Sequence, residues 1–537
     1  MPDTSASFRV LPDKTVTAGT TRRRFMTWMG LVGGVAAAPQ LMRPAFAGAE
    51  PGTGDPFTLG VASGDPLPDG VVLWTRLARR PLQPGGGMPN APVPVQWEIA
   101  ADRGFRSVVQ RGSSAAVPED GHSVHIDVRG LRPTTDYFYR FRCGSDLSPI
   151  GRTRTAPAPG ARVSEMTFAA VSCQAWTDGY FNAFADLAAH APDVVFHLGD
   201  YVYEYEIKPA TVRRPTTDVP ASAWREMTTL ADYRDRYALY KLDPDLQAAH
   251  RAAPFICAYD DHEVENNWAA GIPEKGQSPE EFIVRRAAAF KAWWENMPVR
   301  AALRPNGPDL RMYRRFSYGD LARFSVLDTR QYRSDQANDD KSSPQDAATA
   351  DPSRTITGAA QEKWILDGLA AGGAHWNVLA HQTTIADLAR NTDGRRTVSM
   401  DGWSGYEASR ARILDGAVQR RVPNLVSVVG DIHRNVVSEL KSTYTADATT
   451  VGVELAGTSI ASGKDGKDSD DADKAIKAAS PHVKFGNAQR GYMLNRLTPQ
   501  EWRAEFRVAD SIASRGLGLH RRAVVTIPSG RPEIQVD

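Results

Sequence analysis

The chain has 537 residues, which at about 100–200 residues per domain leaves room for two to four domains. Hydrophobic residues make up 42% and charged residues 24%, with 12 Trp and 16 Tyr, a balance that excludes a disordered chain. Lys+Arg 64 against Asp+Glu 63 leaves a formal charge of +1, which excludes a basic nucleic-acid footprint over the whole chain.

The first 47 residues read as an export signal rather than fold. Thr21-Arg22-Arg23-Arg24-Phe25-Met26 precedes a mildly apolar stretch at 28–38, and Ala45-Phe46-Ala47 offers a small-x-small cleavage site. The paired arginines make it the twin-arginine type, against the plainer reading of a basic N-terminus. The expectation is export by the twin-arginine translocase to a periplasmic or extracellular location, folded and loaded with its metal. No apolar run approaches the roughly 20 residues of a membrane span. Three cysteines, Cys143, Cys173 and Cys257, cannot form a disulfide framework.

Residues 55–158 have the texture of strands. Val71-Val72-Leu73-Trp74-Thr75-Arg76-Leu77 and Val93-Pro94-Val95-Gln96-Trp97-Glu98-Ile99 are β-rich, and His122-Ser123-Val124-His125-Ile126-Asp127-Val128 alternates at period two. Leu131-Arg132-Pro133-Thr134-Thr135-Asp136-Tyr137 resembles the strand entry of an immunoglobulin or fibronectin type III sandwich, where a corner tyrosine bonds to nearby backbone. A β-sandwich is expected here, with a supporting role and no chemistry. Thr155-Ala156-Pro157-Ala158-Pro159-Gly160 reads as the linker.

Residues 165–537 alternate short apolar strands with helices, such as those expected over 181–190 and 280–295. Each of six strands runs into polar residues: Cys173, Asp200, Asp260-Asp261-His262, Asp328, His381, and Asp431-Ile432-His433. Continuous apolar strands point to sheets covered on both faces, whose ligands gather beyond the carboxyl ends of the strands. The Lys- and Asp-rich stretch 462–480 reads as a solvated loop. Cys143 and Cys257 read as buried small hydrophobes, Tyr201 and Tyr205 as packing or pocket wall, and Asp328 with Arg330 as a strand-end ion pair.

Three clusters carry the chemistry. In Gly199-Asp200-Tyr201-Val202-Tyr203-Glu204 an aspartate beyond a strand can bridge two metals, with Tyr203 three residues on. In Gly430-Asp431-Ile432-His433 the aspartate and histidine share a face of extended backbone. Asp260-Asp261-His262-Glu263-Val264-Glu265-Asn266 is dense in polar groups. Each taken singly also fits a turn or a helix cap. Together they resemble a calcineurin-like metallophosphoesterase. With Leu59-Gly60-Val61-Ala62-Ser63-Gly64-Asp65-Pro66, Ser172-Cys173-Gln174, Leu327-Asp328-Thr329-Arg330-Gln331-Tyr332-Arg333 and Asp401-Gly402-Trp403-Ser404-Gly405-Tyr406, the chain is similar to the PhoD-like family of alkaline phosphatases and phosphodiesterases along nearly its whole length.

The resemblance implies an α/β fold: a calcineurin-like β-sandwich core flanked by helices, preceded by the all-β domain. It implies Fe3+ held by Cys173, Asp200, Tyr203 and His433, and Ca2+ beside it with Asp200, Asn266 and Asp431 as ligands. Zinc or another divalent metal is the alternative. A thiolate and a phenolate suit a ferric ion, and carboxylate and amide oxygens suit calcium. The implied reaction is hydrolysis of phosphate monoesters, with some diester activity, by attack of a metal-bound oxygen. His262, with Asp261 beside it, is the candidate proton donor to the leaving alcohol, and support of the ligands is its rival reading. His381 is open between metal ligand, phosphate contact and backbone bonding. Substrates would be small phosphate esters, with phospholipids or teichoic-acid-like polymers as wider options, and the chain is expected to be a monomer. The competing functions are a phospholipase D-like phosphodiesterase and a secreted binding protein without activity.

Overall fold

The computed structural model describes residues 54–274, 276–444 and 448–537. The expected export signal lies outside them. No helix among the described residues is long and apolar enough to cross a membrane.

The N-terminal strands form two facing sheets. One holds β1 (Val61–Leu67), β2 (Gly70–Arg76) and β3 (Ser123–Arg129); the other pairs Val93–Ala100 with Val108–Ala116 and Asp136–Cys143. Val71, Leu73, Val95, Ile99, Tyr139 and Phe141 fill the space between them. Asp136–Cys143 alternates buried and half-buried positions, as a sheet with one wet face should. The corner tyrosine is Tyr137, whose hydroxyl accepts the Arg132 N–H at 3.0 Å. By contrast β2 is buried at every position. Its second face is covered by the helix Pro279–Asn296, where Trp74 Nε1 donates to the Glu295 carbonyl at 2.9 Å and the His125 ring of β3 stacks on Trp294 at 4.3 Å.

The reason for that double burial is the sheet topology. β4 (Met166–Val171), β5 (Val194–His197) and β6 (Phe255–Cys257) run parallel, and β1 pairs parallel with β6 at Gly64 and Phe255. One ten-stranded sheet therefore contains the N-terminal β1–β2–β3 face at one end, β4 to β6 in the middle, and four antiparallel C-terminal strands at the other end. A seven-stranded sheet lies against it, with β7 (Ala322–Val326), β8 (Trp376–Ala380), β9 (Leu425–Val429) and β10 (Thr450–Ala456) parallel at its centre. Phe168 of β4, Phe196 of β5 and Phe324 of β7 meet between the two sheets, with Phe196 and Phe324 stacked at 4.6 Å. β5, β8 and β9 are buried along their whole length, which their unbroken apolar runs require. Because the central strands of each sheet are parallel, their carboxyl ends open at one edge, and the functional residues follow them there.

The helices expected over 181–190 and 280–295 are Asn182–His190 and Pro279–Asn296. The stretch expected as a solvated loop differs: it contains a helix, Asp471–Ala479. Asp470 and Asp473 cap it reciprocally, Arg434 ion-pairs with both, and Ile476 is buried beneath.

Candidate active site

Four strand-end segments supply the site. β4 runs into Cys173, β5 into Asp200 and Tyr203, β6 into Asp260, Asp261 and His262, and β9 into Asp431 and His433. The chain turns sharply at each end. Cys173, Asp200, Asp431 and His433 all adopt left-handed backbone, with φ of 59°, 56°, 64° and 51°. Such conformations cost about 1–2 kcal/mol per non-glycine residue and concentrate at functional sites. The strand ends also crowd together. A Cβ on Gly199 would lie 2.5 Å from the Asp260 Cβ, and one on Gly430 would lie 2.3 Å from the Ser172 Oγ. Only glycine at both positions lets the loops approach so closely.

Three sets of donor atoms converge, each with its members within 4.8 Å of one another: Cys173, Asp200 and His433; Asp200, Asp261 and His262; and Asp200, Asp260, Asp261 and Asp431. Asp200 belongs to all three. The Tyr203 hydroxyl joins the first, donating to Asp200 at 3.0 Å and lying 3.2 Å from His433 Nε2. Ser462 Oγ holds the same hydroxyl at 2.7 Å. Asn266 lies at the edge of this cluster. Its Nδ2 donates to Glu274 at 2.9 Å and its N–H to Glu204 at 2.8 Å, which leaves the amide oxygen uncommitted, and the Asp260 carboxylate joins the all-carboxylate set.

His381 lies outside the three sets. It is fully buried, its Nε2 is 3.0 Å from Ser427 Oγ, and that hydroxyl donates to Glu454 at 2.9 Å. The expected Asp328–Arg330 ion pair does not form. Asp328 accepts the N–H groups of Arg330 and Gln331 at 3.0 Å each and the Tyr259 hydroxyl. The Arg330 guanidinium reaches across instead to Asp260 at 2.5 Å, Asp401 at 2.7 Å and Asp261 at 3.4 Å. Cys143 and Cys257 are buried and free, Tyr201 is buried, and Tyr205 is 47% exposed at the rim.

Two supporting residues escaped the sequence reading. Glu263 folds under the loops and accepts the N–H groups of Asp200, Tyr201 and Asp260 at 3.0, 2.6 and 2.8 Å, fixing two strand ends to one carboxylate. Glu204 accepts from His262 Nδ1 at 2.8 Å. Both sit inside motifs rich in acids, where composition does not tell which carboxylate turns inward.

Electrostatics shows what the site needs. Burial lifts the Asp200 carboxyl well above its ordinary value, and Asp261 and Asp431 add to the lift. Burial and Asp401 raise Asp431 to about 6. Burial and Asp200 push the Cys173 thiol and the Tyr203 phenol up. One Asp200 oxygen, Oδ1, is buried without any hydrogen-bond partner. A cluster of buried carboxylates, a thiol and a phenol, with one Asp200 oxygen unsatisfied, fits bound metal cations. Burial lowers His433 to about 3, which leaves it neutral and suited to ligation. His262 behaves oppositely. Burial opposes its charge, but Glu204 and Asp261 outweigh burial and raise it well above the usual histidine range. A cavity of about 530 Å³ opens beside Tyr203, Tyr205, His433, Ser462 and Arg236.

Comparison with known proteins agrees with this geometry. The model of the PhoD-like phosphatase family matches residues 168–506, and that of the PhoD-like phosphatase N-terminal domain matches residues 42–157. Alkaline phosphatase D of Bacillus subtilis (strain 168) is 46% identical over 507 residues, covering 94% of this chain and 86% of the relative. A solved structure of PhoD superposes with a TM-score of 0.87 at 45% identity, covering 91% of this chain and 93% of that one.

Proposed function

Since the chain belongs to the PhoD-like phosphatase family and is a phosphoric ester hydrolase, we propose that it is an exported, metal-dependent alkaline phosphatase of the D type. We propose Fe3+ at Cys173, Asp200, Tyr203 and His433, and Ca2+ beside it at Asp200, Asn266 and Asp431, with the Asp260 carboxylate in the same oxygen set. The observation that carries the reading is the position of Asp200, common to a sulfur- and nitrogen-bearing set on one side and an all-carboxylate set on the other. The first donor set suits a ferric ion and the second a hard cation. Zinc is the alternative, since Asp200, Asp431 and His433 suit it as well.

When bound, the cations would bind the phosphate oxygens and neutralise the charge that grows on phosphorus. The chain's own residues supply the rest. His262 carries a proton near the cluster, held by Glu204 on Nδ1 and by Asp261, whose oxygen is 3.9 Å from Nε2. Its role is to pass that proton to the departing alcohol oxygen, converting a poor leaving group into a neutral alcohol. The Tyr203 ring, 4.3 Å away, fixes the imidazole plane. Arg330 and Glu263 keep the acidic loops in register. The cavity beside Tyr203 accepts the alcohol part of the ester.

Export by the twin-arginine route is part of the proposal, supported by Arg22-Arg23 and the small-x-small site at Ala45-Phe46-Ala47. The deciding experiment combines metal analysis of the purified protein with turnover of p-nitrophenyl phosphate and its bis ester. Iron and calcium together with monoester hydrolysis are expected. A metal-free protein that turns over neither ester refutes the reading.

A further inference from the structure

Arg236 lies on the helix Leu230–Lys241 and lines the cavity beside the metal-ligand cluster. Its Nη1 donates to the carbonyls of Tyr203 and Tyr205, the latter at 3.0 Å. Its Nε and Nη2 are buried without a hydrogen-bond partner, and the residue is 2% exposed. A buried guanidinium with no carboxylate against it is costly to maintain.

The acids around it are all committed elsewhere. Glu204 holds His262 and the Asn266 N–H. Asp232 caps the helix that carries Arg236 and pairs with Arg225. Of the acids lining the cavity, Asp178 accepts the N–H groups of Gly463 and Lys464, Glu206 pairs with Lys208, and Glu226 pairs with Arg285. Among the described residues lining this cavity, Arg236 is the cation without a carboxylate partner, since Lys208 pairs with Glu206.

Tyr203 measures the distance between the two sites. Its hydroxyl sits on Asp200 and His433, and its carbonyl receives the Arg236 N–H. One tyrosine length therefore separates the cluster from the unpaired guanidinium. We propose that Arg236 binds a second anionic group on the leaving alcohol, so that the enzyme selects phosphate esters whose alcohol carries a phosphate or carboxylate a short carbon chain from the scissile phosphorus. The inference rests on the phosphoesterase reading above. Arg suits this task because its planar fork keeps two N–H groups for an oxyanion while Nη1 stays on the backbone carbonyls.

The test compares three substrates sharing a three-carbon alcohol: glycerol phosphate, phosphoglycerate and glycerol bisphosphate. For the wild-type holoenzyme, kcat/KM is expected to favour the two acidic alcohols by about tenfold or more, the size of one charge-assisted contact. Arg236→Gln should collapse that ratio towards one, mainly through KM, and Arg236→Lys should keep part of it. Equal losses on all three substrates would show that Arg236 only braces the Tyr203–Tyr205 loop, overturning the proposal. A wild-type enzyme with no preference overturns it whether or not the variants fold. Hydrolysis of none of the three overturns the phosphoesterase reading, and this proposal with it.

Discussion

Arg330→Met tests whether the acidic loops are held by one buried cation. Arg330 is 0% exposed and joins Asp260 and Asp261, beyond β6, to Asp401 from a separate loop. Asp401 would keep Arg333 at 2.5 Å and Gln336 at 2.9 Å, so the loss falls on Asp260 and Asp261. Removing one partner of a buried ion pair costs about 3–5 kcal/mol because the other charge is left stranded. The cost should depend on pH with a definite sign. In the wild type, Arg330 and His262 outweigh burial and hold Asp261 below its ordinary value, so its contribution is present above the unfolded value and lost as pH falls. Without Arg330, burial dominates and the two carboxyls bind protons more tightly folded than unfolded. Their penalty then grows as pH rises. Urea unfolding followed by tryptophan fluorescence at pH 5 and pH 8 should show the variant crippled at the higher pH and partly restored at the lower. Arg330→Lys, which keeps the charge but not the fork, should fall between the two. Wild-type stability at pH 8, or a loss independent of pH, refutes the reasoning.

Tyr203→Phe should abolish or shift the visible absorption of the purified protein, because a phenolate on a ferric ion transfers charge into the metal's partly filled d shell. A colourless, fully active wild type holding zinc and no iron refutes the iron assignment while leaving the phosphoesterase intact. Glu454, raised by burial to about 7 from 4.5, contributes stability that is present below pH 4.5 and lost as pH rises through 7, about 3 kcal/mol in all. Glu454→Gln should flatten that slope in unfolding experiments, and an unchanged slope refutes the assignment. Replacing Arg22 and Arg23 by Lys should trap active enzyme in the cytoplasm, and normal secretion of the double variant, scored by cell fractionation, would end the twin-arginine reading.

The fold and the residues that converge on the site were legible for the same reason. An unbroken apolar strand that stops at Cys, Asp or His announces both a doubly covered sheet and a residue beyond its carboxyl end, so Cys173, Asp200, Asp431 and His433 could be read from the chain. What stayed hidden is non-local. Glu263 bonds to backbone near Asp200, which belongs to a different strand, and no spacing within its own motif signals that. Arg330 was read against its neighbour Asp328, but Asp328 is consumed by two backbone N–H groups and a tyrosine. Asp260 lies in one acidic run with Asp261 and Glu263, and its place in the cluster is set by Arg330, which comes from a different strand end. The helix Asp471–Ala479 was missed because its Lys and Asp content masks a reciprocal cap between Asp470 and Asp473.

The parallel pairing of β1 with β6 changes what the N-terminal module is. An appended domain joined by a linker can be cut away or exchanged, leaving the catalytic part soluble. Here the cut would strip a neighbour from β6, the strand that delivers Asp260, Asp261 and His262, and would uncover Trp74's carbonyl partner and the Trp294 face on the helix behind it. A truncated enzyme would therefore present a raw strand edge within a few residues of its own chemistry, a template for pairing with other chains. Loss of activity on deletion would then report self-association, not a catalytic role for the removed residues, and grafting the catalytic segment onto another scaffold would have to carry β1 to β3 with it.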